Sequence, residues 1–314
     1  MNTSPGLITT VTLNPMVDKT VTLPKLLPGR ISRAGSASAV VGGKGINVSR
    51  QVRQFGLPTL ATGFVGGETG LTIERLLHEE GVPFDFVRVA GMTREGVTYR
   101  EADGTVTSVF EPPPQVSEEE VNRLLEKASL LVPRSSWLVC AGSSPCPSAD
   151  GLFRDILQMC SERKIPAVLD SYGLAFSTSL GSRPTLVKPN KQECELSLGK
   201  KLEDPEAMAN LAAELVREGI TYAVITDGPH PFAAADRLRR WIVNPPQVTT
   251  VNPTGSGDSM VAAMINGLSK GWPFEQCLAF GAAAGAVNAR VWQVAAAQYQ
   301  EVLDLARDVE VRIL

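Results

Sequence analysis

The stretch Val251-Asn-Pro-Thr-Gly-Ser-Gly-Asp-Ser259 follows a β-type pattern and opens a long apolar segment with helical character. Gly255 and Gly257 permit a tight turn that brings backbone N–H groups close to a ligand. With Ser256 between them, they would form a helix N-terminus, whose unpaired N–H donors and partial positive charge suit a phosphate. Asp258 would place a carboxylate at the same point. This pairing fits phosphoryl transfer to a hydroxyl, although an Asp or Ser here would also cap the helix without any further role.

Strand patterns alternate with helix patterns along the chain, and three helix patterns close it. The predicted strands cover 9–13, 59–65, 137–141, 167–170, 185–188 and 222–226. The predicted helices cover 46–55, 72–80, a segment opened by Ser117, 152–163, 205–217, 257–269, 274–290 and 295–309. Repeated β-then-α units predict an α/β fold with a parallel sheet that helices cover on both faces.

Two segments interrupt this alternation. Residues 17–41 show β-type alternation without a helix, and residues 96–110 read as a hairpin that turns at Ala102-Asp103-Gly104-Thr105. We expect the two segments to form a small β appendage beside the main sheet, in a position to cover a substrate.

Composition and charge exclude several classes of protein. The chain has 314 residues, of which 43% are hydrophobic and 20% charged, and its net charge is −3; these values indicate a globular protein that does not bind nucleic acid by bulk charge. No run approaches the ~20 apolar residues that span a bilayer, and no signal-peptide pattern is visible, so we expect no membrane association. The five cysteines include no Cys-x-x-Cys pair, which favours a reducing cytoplasm.

A second glycine-rich turn is Val41-Gly-Gly-Lys-Gly-Ile-Asn47, again between a strand and a helix. Gly43, Lys44 and Asn47 would face a ligand there. The stretch is not a phosphate-binding P-loop, because Gly45 rather than Ser or Thr follows the lysine. A glycine turn with a solvated lysine explains it equally well.

A third stretch is Thr185-Leu-Val-Lys-Pro-Asn-Lys-Gln-Glu193. Asn190 and Glu193 have the spacing of a capping box at a helix start. Their oxygens would also suit a magnesium–water–phosphate shell, because Mg²⁺ keeps several waters and takes one or two protein carboxylates.

Two charged residues stand alone in the sequence. Asp18 comes after the first predicted strand, where open α/β sheets bind ligands, although a turn or cap residue is the simpler interpretation. Arg94 could hold a phosphate with its forked guanidinium, although a solvated arginine is the default.

Taken together, these motifs resemble the PfkB carbohydrate kinase family. The segments that carry the resemblance occur in the family's order: Thr12-Leu-Asn-Pro-Met-Val-Asp18, Gly42-Gly-Lys-Gly-Ile-Asn-Val48, Leu186-Val-Lys-Pro-Asn190 and Gly255-Ser-Gly-Asp258. The first two are similar to the branch of 1-phosphofructokinases and tagatose-6-phosphate kinases. The resemblance implies a ribokinase-like three-layer α/β/α fold with a mostly parallel sheet. It further implies one kinase domain over residues 1–314, with segments 17–41 and 96–110 as a small β lid.

The implied activity is ATP- and Mg²⁺-dependent phosphorylation of a ketohexose phosphate: fructose 1-phosphate, tagatose 6-phosphate or fructose 6-phosphate. The resemblance makes Asp258 the base and the N–H groups of residues 255–257 the anion hole, and it implies a homodimer through the lid. Implied sugar-site residues are Asp18, Gly43, Lys44, Asn47 and Ser143, with Arg94 on the existing phosphate. Implied nucleotide-side residues are Lys188, Asn190, Glu193, Thr226, Gly228 and Asn288, with Asn190 and Glu193 acting on Mg²⁺ through water.

The chain departs from the family pattern at three places. Gly142-Ser-Ser-Pro-Cys-Pro147 replaces a Gly-Ser-Leu-Pro-Pro-Gly-like stretch, Asp227-Gly-Pro-His-Pro-Phe232 alters the nucleotide turn, and Gly96 stands where the branch often has Asn. Two alternatives therefore stay open: a kinase of the same fold that acts on an unphosphorylated sugar or nucleoside, and a non-catalytic ligand-binding relic.

Overall fold

The computed structural model describes residues 6–314, which contain fourteen strands and ten α-helices. The strands are β1 (Leu7–Thr12), β2 (Met16–Leu23), β3 (Ser36–Gly42), β4 (Thr59–Val65), β5 (Val87–Arg88), β6 (Arg94–Glu101), β7 (Val106–Phe110), β8 (Ser135–Ala141), β9 (Ala167–Asp170), β10 (Leu186–Val187), β11 (Tyr222–Asp227), β12 (His230–Ala235), β13 (Arg240–Asn244) and β14 (Glu310–Ile313). The helices are α1 (Lys44–Gln54), α2 (Gly67–Glu80), α3 (Glu118–Leu131), α4 (Leu152–Glu162), α5 (Leu174–Ser177), α6 (Lys191–Leu198), α7 (Pro205–Arg217), α8 (Ser256–Ser269), α9 (Phe274–Ala289) and α10 (Tyr299–Leu305). None of these helices is long and apolar enough to cross a membrane.

A ten-stranded sheet organises the molecule, in the order β14-β13-β12-β11-β10-β9-β8-β1-β4-β5. The strands from β11 to β5 run parallel, whereas β12, β13 and β14 add an antiparallel edge. The central strand β1 is rich in β-branched residues, which favour a pleated and buried backbone. Two of its three threonines have hydroxyl partners: the hydroxyls of Thr9 and Ser135 lie 2.7 Å apart, and those of Thr10 and Ser49 lie 2.8 Å apart.

Helices pack on both faces of this sheet, because successive strand residues point to opposite sides. On β8, Leu138 joins a core built with α3, α4 and α7, while the adjacent Val139 joins a core built with α1, α8 and α9. The same alternation holds for Leu169 and Val168 on β9. The result is the expected three-layer α/β/α arrangement.

The two expected β segments form a separate four-stranded sheet, in the order β3-β2-β6-β7. We call it the small sheet; it comprises residues 16–23, 36–42, 94–101 and 106–110. Strands β6 and β7 form the predicted hairpin, and β2 pairs in parallel with β6. Residues directly opposite one another share a face, so Val40, Asp18, Gly96 and Phe110 lie in one row on one side.

The structure corrects several predicted boundaries. The last predicted helix, 295–309, begins at Tyr299, because Ala295 has a φ of 56° and residues 291–298 form an irregular loop. The 185–188 strand is reduced to Leu186–Val187, and the antiparallel strands β12 to β14 were not predicted. The predictions for 59–65, 167–170 and 205–217 agree with the structure at both ends.

Candidate active site

The glycine-rich stretch becomes the N-terminus of α8. Gly255 is in the left-handed region (φ 80°), and a Cβ there would lie 2.5 Å from Val294 Cγ1, so only glycine fits. Asp258 lies in the first turn, is only 6% exposed, and accepts a 2.8 Å hydrogen bond from Asn47 Nδ2. Burial raises the pKa of Asp258 to about 6, with a contribution from the negative charge of Asp170, while Lys44, Asn47 and Lys188 act in the opposite direction.

A chain of alternating charges lies beside Asp258. Lys44 Nζ lies 2.8 Å from Asp170 Oδ1 and 2.5 Å from Glu193 Oε1, and Lys188 Nζ lies 3.1 Å from Asp170 Oδ2. Burial alone would raise the pKa of Asp170, but the attraction of Lys188 and Lys44 outweighs it and holds the pKa below its usual value. Burial alone would lower the pKa of Lys44, but Asp170, Glu193 and Asp258 raise it well above its usual value. Lys44 therefore stays charged at this site.

One of these lysines borders the α8 N-terminus. A Cβ added to Gly257 would lie 3.1 Å from Lys188 Nζ, so the buried ammonium group faces the helix start. Lys188 is only 3% exposed. A fixed positive charge beside unpaired N–H donors makes this point a site for an anion.

The capping box at α6 is present in the structure. Asn190 Oδ1 accepts from the Glu193 backbone N–H at 2.8 Å, and Glu193 Oε2 accepts from the Asn190 backbone N–H at 2.9 Å. The second oxygen of Glu193 faces Lys44. Glu193 and Asp170 thus share the Lys44 ammonium.

All of these groups line one cleft of about 750 Å³. At one end of it, Asn14 Nδ2 donates to Ser143 Oγ at 3.0 Å, and Arg94 contacts the backbone oxygen of Asn14 at 3.4 Å. Within residues 6–314, the buried atoms Arg94 Nε and Asn14 Oδ1 have no hydrogen-bond partner. Tyr172 also lines this end, which we call the Arg94 end.

We call the part of the cleft around Thr226 the Thr226 end. Thr226 and Gly228, which the family resemblance assigns to the nucleotide side, line the cleft there, and Thr226 N donates to the Pro189 oxygen at 3.2 Å. The apolar lining comprises Phe232, Pro245, Pro246, Met260, Ala282 and Ala286. Apolar walls next to a few fixed polar groups are typical of a small-molecule site.

Comparison with known proteins agrees with this geometry. Residues 8–298 match the sequence model of the family described as pfkB family carbohydrate kinase. The chain belongs to the pfkB family. Phosphofructokinase-2 from Escherichia coli, solved with potassium, superposes with a TM-score of 0.89 at 28% identity, covering 96% of this chain and 99% of that one. A protein described as a possible 1-phosphofructokinase from Thermotoga maritima has a TM-score of 0.88 at 24% identity over 98% and 99% of the two chains. A ribokinase from the same organism, at 18% identity and a TM-score of 0.73 over 96% and 99%, shares the fold.

Most of the predicted residues of this pfkB kinase meet in the cleft. The cleft is lined by Gly43, Lys44, Asn47, Arg94, Ser143, Lys188, Asn190, Glu193, Thr226, Gly228, Gly255, Ser256, Gly257 and Asp258. Lys44, which the resemblance assigns to the sugar site, forms ion pairs with the carboxylates of Asp170 and Glu193.

Two predicted residues do not line it. Asp18 is on β2 of the small sheet, where Thr98 Oγ1 donates to it at 3.3 Å and burial raises its pKa. Asn288 is fully buried behind the cleft: it donates to the Thr254 oxygen at 2.9 Å and accepts from Ala295 N at 2.7 Å. Asn288 thus ties the glycine-rich stretch to the 291–298 loop.

Asp170 and Tyr172 line the cleft of the pfkB kinase but were not predicted. Asp170 ends β9 at the carboxyl edge of the parallel sheet, where ligands bind in such folds, and that position is the signal that could have identified it. Tyr172 follows two residues later.

Two departures from the family pattern have physical reasons. A Cβ on Gly96 would lie 2.6 Å from Phe110 Cδ1 and 3.3 Å from Met16 Sδ, so those side chains fill the space of a larger residue. Asp227 Oδ2 lies 3.7 Å from Lys191 Nζ, so the unusual acid of the nucleotide turn has a cationic partner.

Proposed function

We propose that this pfkB kinase transfers the γ-phosphoryl group of ATP to a hydroxyl of a ketohexose phosphate. The observation that carries the proposal is the distribution of charge along the cleft. Asp258 and the α8 N-terminus line it together with Lys44 and Lys188, whereas Arg94, which also lines it, forms no ion pair with any acidic side chain among residues 6–314. A phosphate on the acceptor would neutralise Arg94 while a hydroxyl of the same molecule reaches Asp258.

Asp258 acts as the base in this proposal. A carboxyl with a pKa of about 6 is ionised at neutral pH and is basic enough to accept a proton as the hydroxyl attacks. Asn47 fixes the orientation of the carboxylate through Oδ2. The backbone N–H groups of Gly255 and Gly257, together with Lys188, stabilise the negative charge of the transferring group, whereas the Ser256 N–H, predicted to join them, donates to the Pro253 oxygen at 3.2 Å.

The residues present fit a magnesium ion. Asp170 and Glu193 both direct an oxygen at the Lys44 ammonium, so the two carboxylates already share one cation, and oxygen donors are what Mg²⁺ prefers. Glu193 and Asp170 would hold the ion, either directly or through water, and Asn190 would keep Glu193 in place. When bound, the ion neutralises phosphate charge. Thr226 and Gly228 would support the nucleotide.

The solved relatives favour the same activity. Phosphofructokinase-2 from Escherichia coli was also solved with fructose 6-phosphate, and that structure has 29% identity and a TM-score of 0.84 over 96% of this chain and 99% of that one. A matching acceptor here would be fructose 6-phosphate, fructose 1-phosphate or tagatose 6-phosphate.

The decisive experiment measures ADP production from Mg·ATP with six acceptors: fructose 1-phosphate, tagatose 6-phosphate, fructose 6-phosphate, fructose, ribose and adenosine. We expect turnover with one ketose phosphate and a loss of roughly 10²–10³-fold or more in Asp258→Asn. Asp204→Asn is the matched control, because Asp204 is also an aspartate at a helix start, lies outside the cleft, and caps well as Asn.

The alternatives give different results. Turnover confined to fructose, ribose or adenosine would favour an unphosphorylated acceptor. Binding of nucleotide or sugar phosphate without any turnover would favour a non-catalytic relic. Near-wild-type turnover in Asp258→Asn would contradict the assigned base.

The small sheet supports a further part of the proposal, a homodimer formed through it. Val106 and Phe110 are each 52% exposed and lie on the same face as the exposed Val40. An exposed apolar face of this kind is typical of an interaction surface. The proposal treats residues 1–314 as one kinase domain with the small sheet as its lid, and the cysteine pattern favours a cytoplasmic setting.

A further inference from the structure

Tyr172 occupies a place in the cleft that no part of the proposed chemistry uses. It lines the Arg94 end together with Asn14, Ser143 and Arg94, and the residue is 36% exposed. It belongs neither to the group around Asp258 nor to the apolar wall of the Thr226 end.

The backbone around Tyr172 is held firmly against the neighbouring turn. The N–H of Gly142 donates to the Asp170 oxygen at 2.9 Å, and Ser171 Oγ donates to the Gly142 oxygen at 2.7 Å. On the other side, Gly173 adopts a φ of 64° and its N–H donates to Ser197 Oγ at 2.7 Å. Tyr172, which lines the cleft, therefore sits on a backbone that hydrogen bonds fix next to Ser143.

The Arg94 end lacks a partner for its positive charge. None of the ion pairs among residues 6–314 includes Arg94. In that part of the chain, Arg94 Nε is buried with no hydrogen-bond acceptor. Burial lowers the pKa of Arg94, and Tyr172 is the titratable neighbour that opposes this shift. A buried donor without an acceptor costs free energy, so this end is built for an anionic ligand.

We propose that Tyr172 is a specificity-determining residue whose hydroxyl, with the Arg94 guanidinium, binds the phosphate already carried by the acceptor. The assignment rests on the proposed function and extends it: the Arg94 end selects a phosphomonoester, and the reacting hydroxyl lies toward Asp258. A phenol donates one hydrogen bond to a phosphate oxygen, and the guanidinium supplies a fork of further donors. An unphosphorylated sugar leaves both groups without a partner.

The test compares wild type with Tyr172→Phe, which removes only the hydroxyl. Calorimetry measures the binding of fructose 1-phosphate, tagatose 6-phosphate, fructose 6-phosphate, inorganic phosphate, fructose and ATP. We expect the phosphate-bearing sugar to bind roughly tenfold to a hundredfold more weakly in Tyr172→Phe. Binding of fructose and ATP should be unchanged, and where turnover is measurable KM should rise while kcat is retained.

Tyr222→Phe is the matched control, since the Tyr222 ring stacks on Phe274 with centroids 4.3 Å apart and does not line the cleft. It should bind every ligand like wild type. Equal affinity of wild type and Tyr172→Phe for the sugar phosphates would overturn the inference. So would a loss of affinity for fructose in Tyr172→Phe as large as the loss for the sugar phosphates. A wild-type protein that binds no phosphate-bearing ligand would overturn it too. A protein that binds sugar phosphates through Tyr172 but turns none of them over would refute the proposed kinase activity alone.

Discussion

The ammonium group of Lys44 lies 2.8 Å from the carboxylate of Asp170, although 126 residues separate the two in the sequence. Lys44 begins the helix that follows the small sheet, and Asp170 ends a strand of the large sheet. The contact therefore ties the start of α1 to the large sheet at the cleft. It also allows a fully buried carboxylate to remain charged, because Lys188 lies on its other side.

Loss of the Asp170 charge should destabilise the protein. Asp170→Asn leaves Lys188 buried without its carboxylate, and removing one partner of a buried pair costs about 3–5 kcal/mol. Urea unfolding measures the change in the free energy of unfolding. Glu79→Gln is the control: it breaks the exposed pair with Arg75 and should change this free energy by no more than about 0.5 kcal/mol. An Asp170→Asn protein as stable as wild type would show that this network does not support the fold.

Glu193→Gln should weaken the response to magnesium without unfolding α6. Glutamine preserves a capping box, but the substitution removes the charge shared with Asp170 around the cation. We expect the Mg²⁺ concentration for half-maximal rate to rise at least about tenfold, as measured at fixed ATP.

A matched control for this variant exists at α3. Glu120 forms the same kind of capping box with Ser117, and its second oxygen accepts from the Ala90 backbone N–H at 2.6 Å, far from the cleft. Glu120→Gln should respond to Mg²⁺ like wild type. If the Mg²⁺ concentration for half-maximal rate were the same in Glu193→Gln as in Glu120→Gln, Glu193 would be excluded from the metal site.

The rate should depend on the ionisation of Asp258. Because burial raises its pKa to about 6, kcat/KM should fall about tenfold per pH unit below pH 6 and level off above it. A pH–rate profile between pH 4.5 and 8, at roughly constant ionic strength, checks this. A phosphomonoester also titrates near pH 6, so an independent measurement is needed.

Stability provides that measurement. The folded-state pKa of Asp258 lies above its usual value, so its contribution to stability is fully present below about pH 4 and is lost as the pH rises through about 6. Asp258→Asn avoids this loss. Above pH 7 the variant should be more stable than wild type by up to about 3 kcal/mol, and the difference should vanish near pH 4. A variant less stable than wild type at pH 8 would contradict the raised pKa.

The parts of the fold that depend on local signals could be predicted from the sequence. Helix α7 begins and ends where predicted because Asp204 caps it and Pro205 opens it. The glycine-rich turns at 43 and 255 could likewise be placed, since both need a positive φ. The resemblance to the family then assigned both turns to one ligand site.

What could not be predicted depends on distant contacts. The 291–298 loop, to which Asn288 and Gln51 form hydrogen bonds, determines where α10 begins. The Gln51 side chain donates to the Ala297 oxygen at 2.8 Å and accepts from the Ala297 N–H at 3.0 Å, although 246 residues separate the two. Strand β12, with three consecutive alanines and a proline, has little β propensity and forms because β11 and β13 pair with it. In the sequence, Asp170 is simply the last residue of a predicted strand. Its pairing with Lys44 and Lys188 becomes visible only in the folded structure.

The face of the small sheet that carries Val106 should mediate dimerisation. Val106→Glu places a charge on this face, yet the monomer should tolerate it, because the residue directly opposite is Arg100. Sedimentation velocity of wild type should give about twice the chain mass of 33.5 kDa, and Val106→Glu should shift the protein toward one chain. Leu238→Glu is the control: Leu238 is 87% exposed in the turn between β12 and β13, so its replacement should leave the mass unchanged. A monomeric wild type, or a Val106→Glu protein that stays dimeric, would show that this face is not the dimer interface.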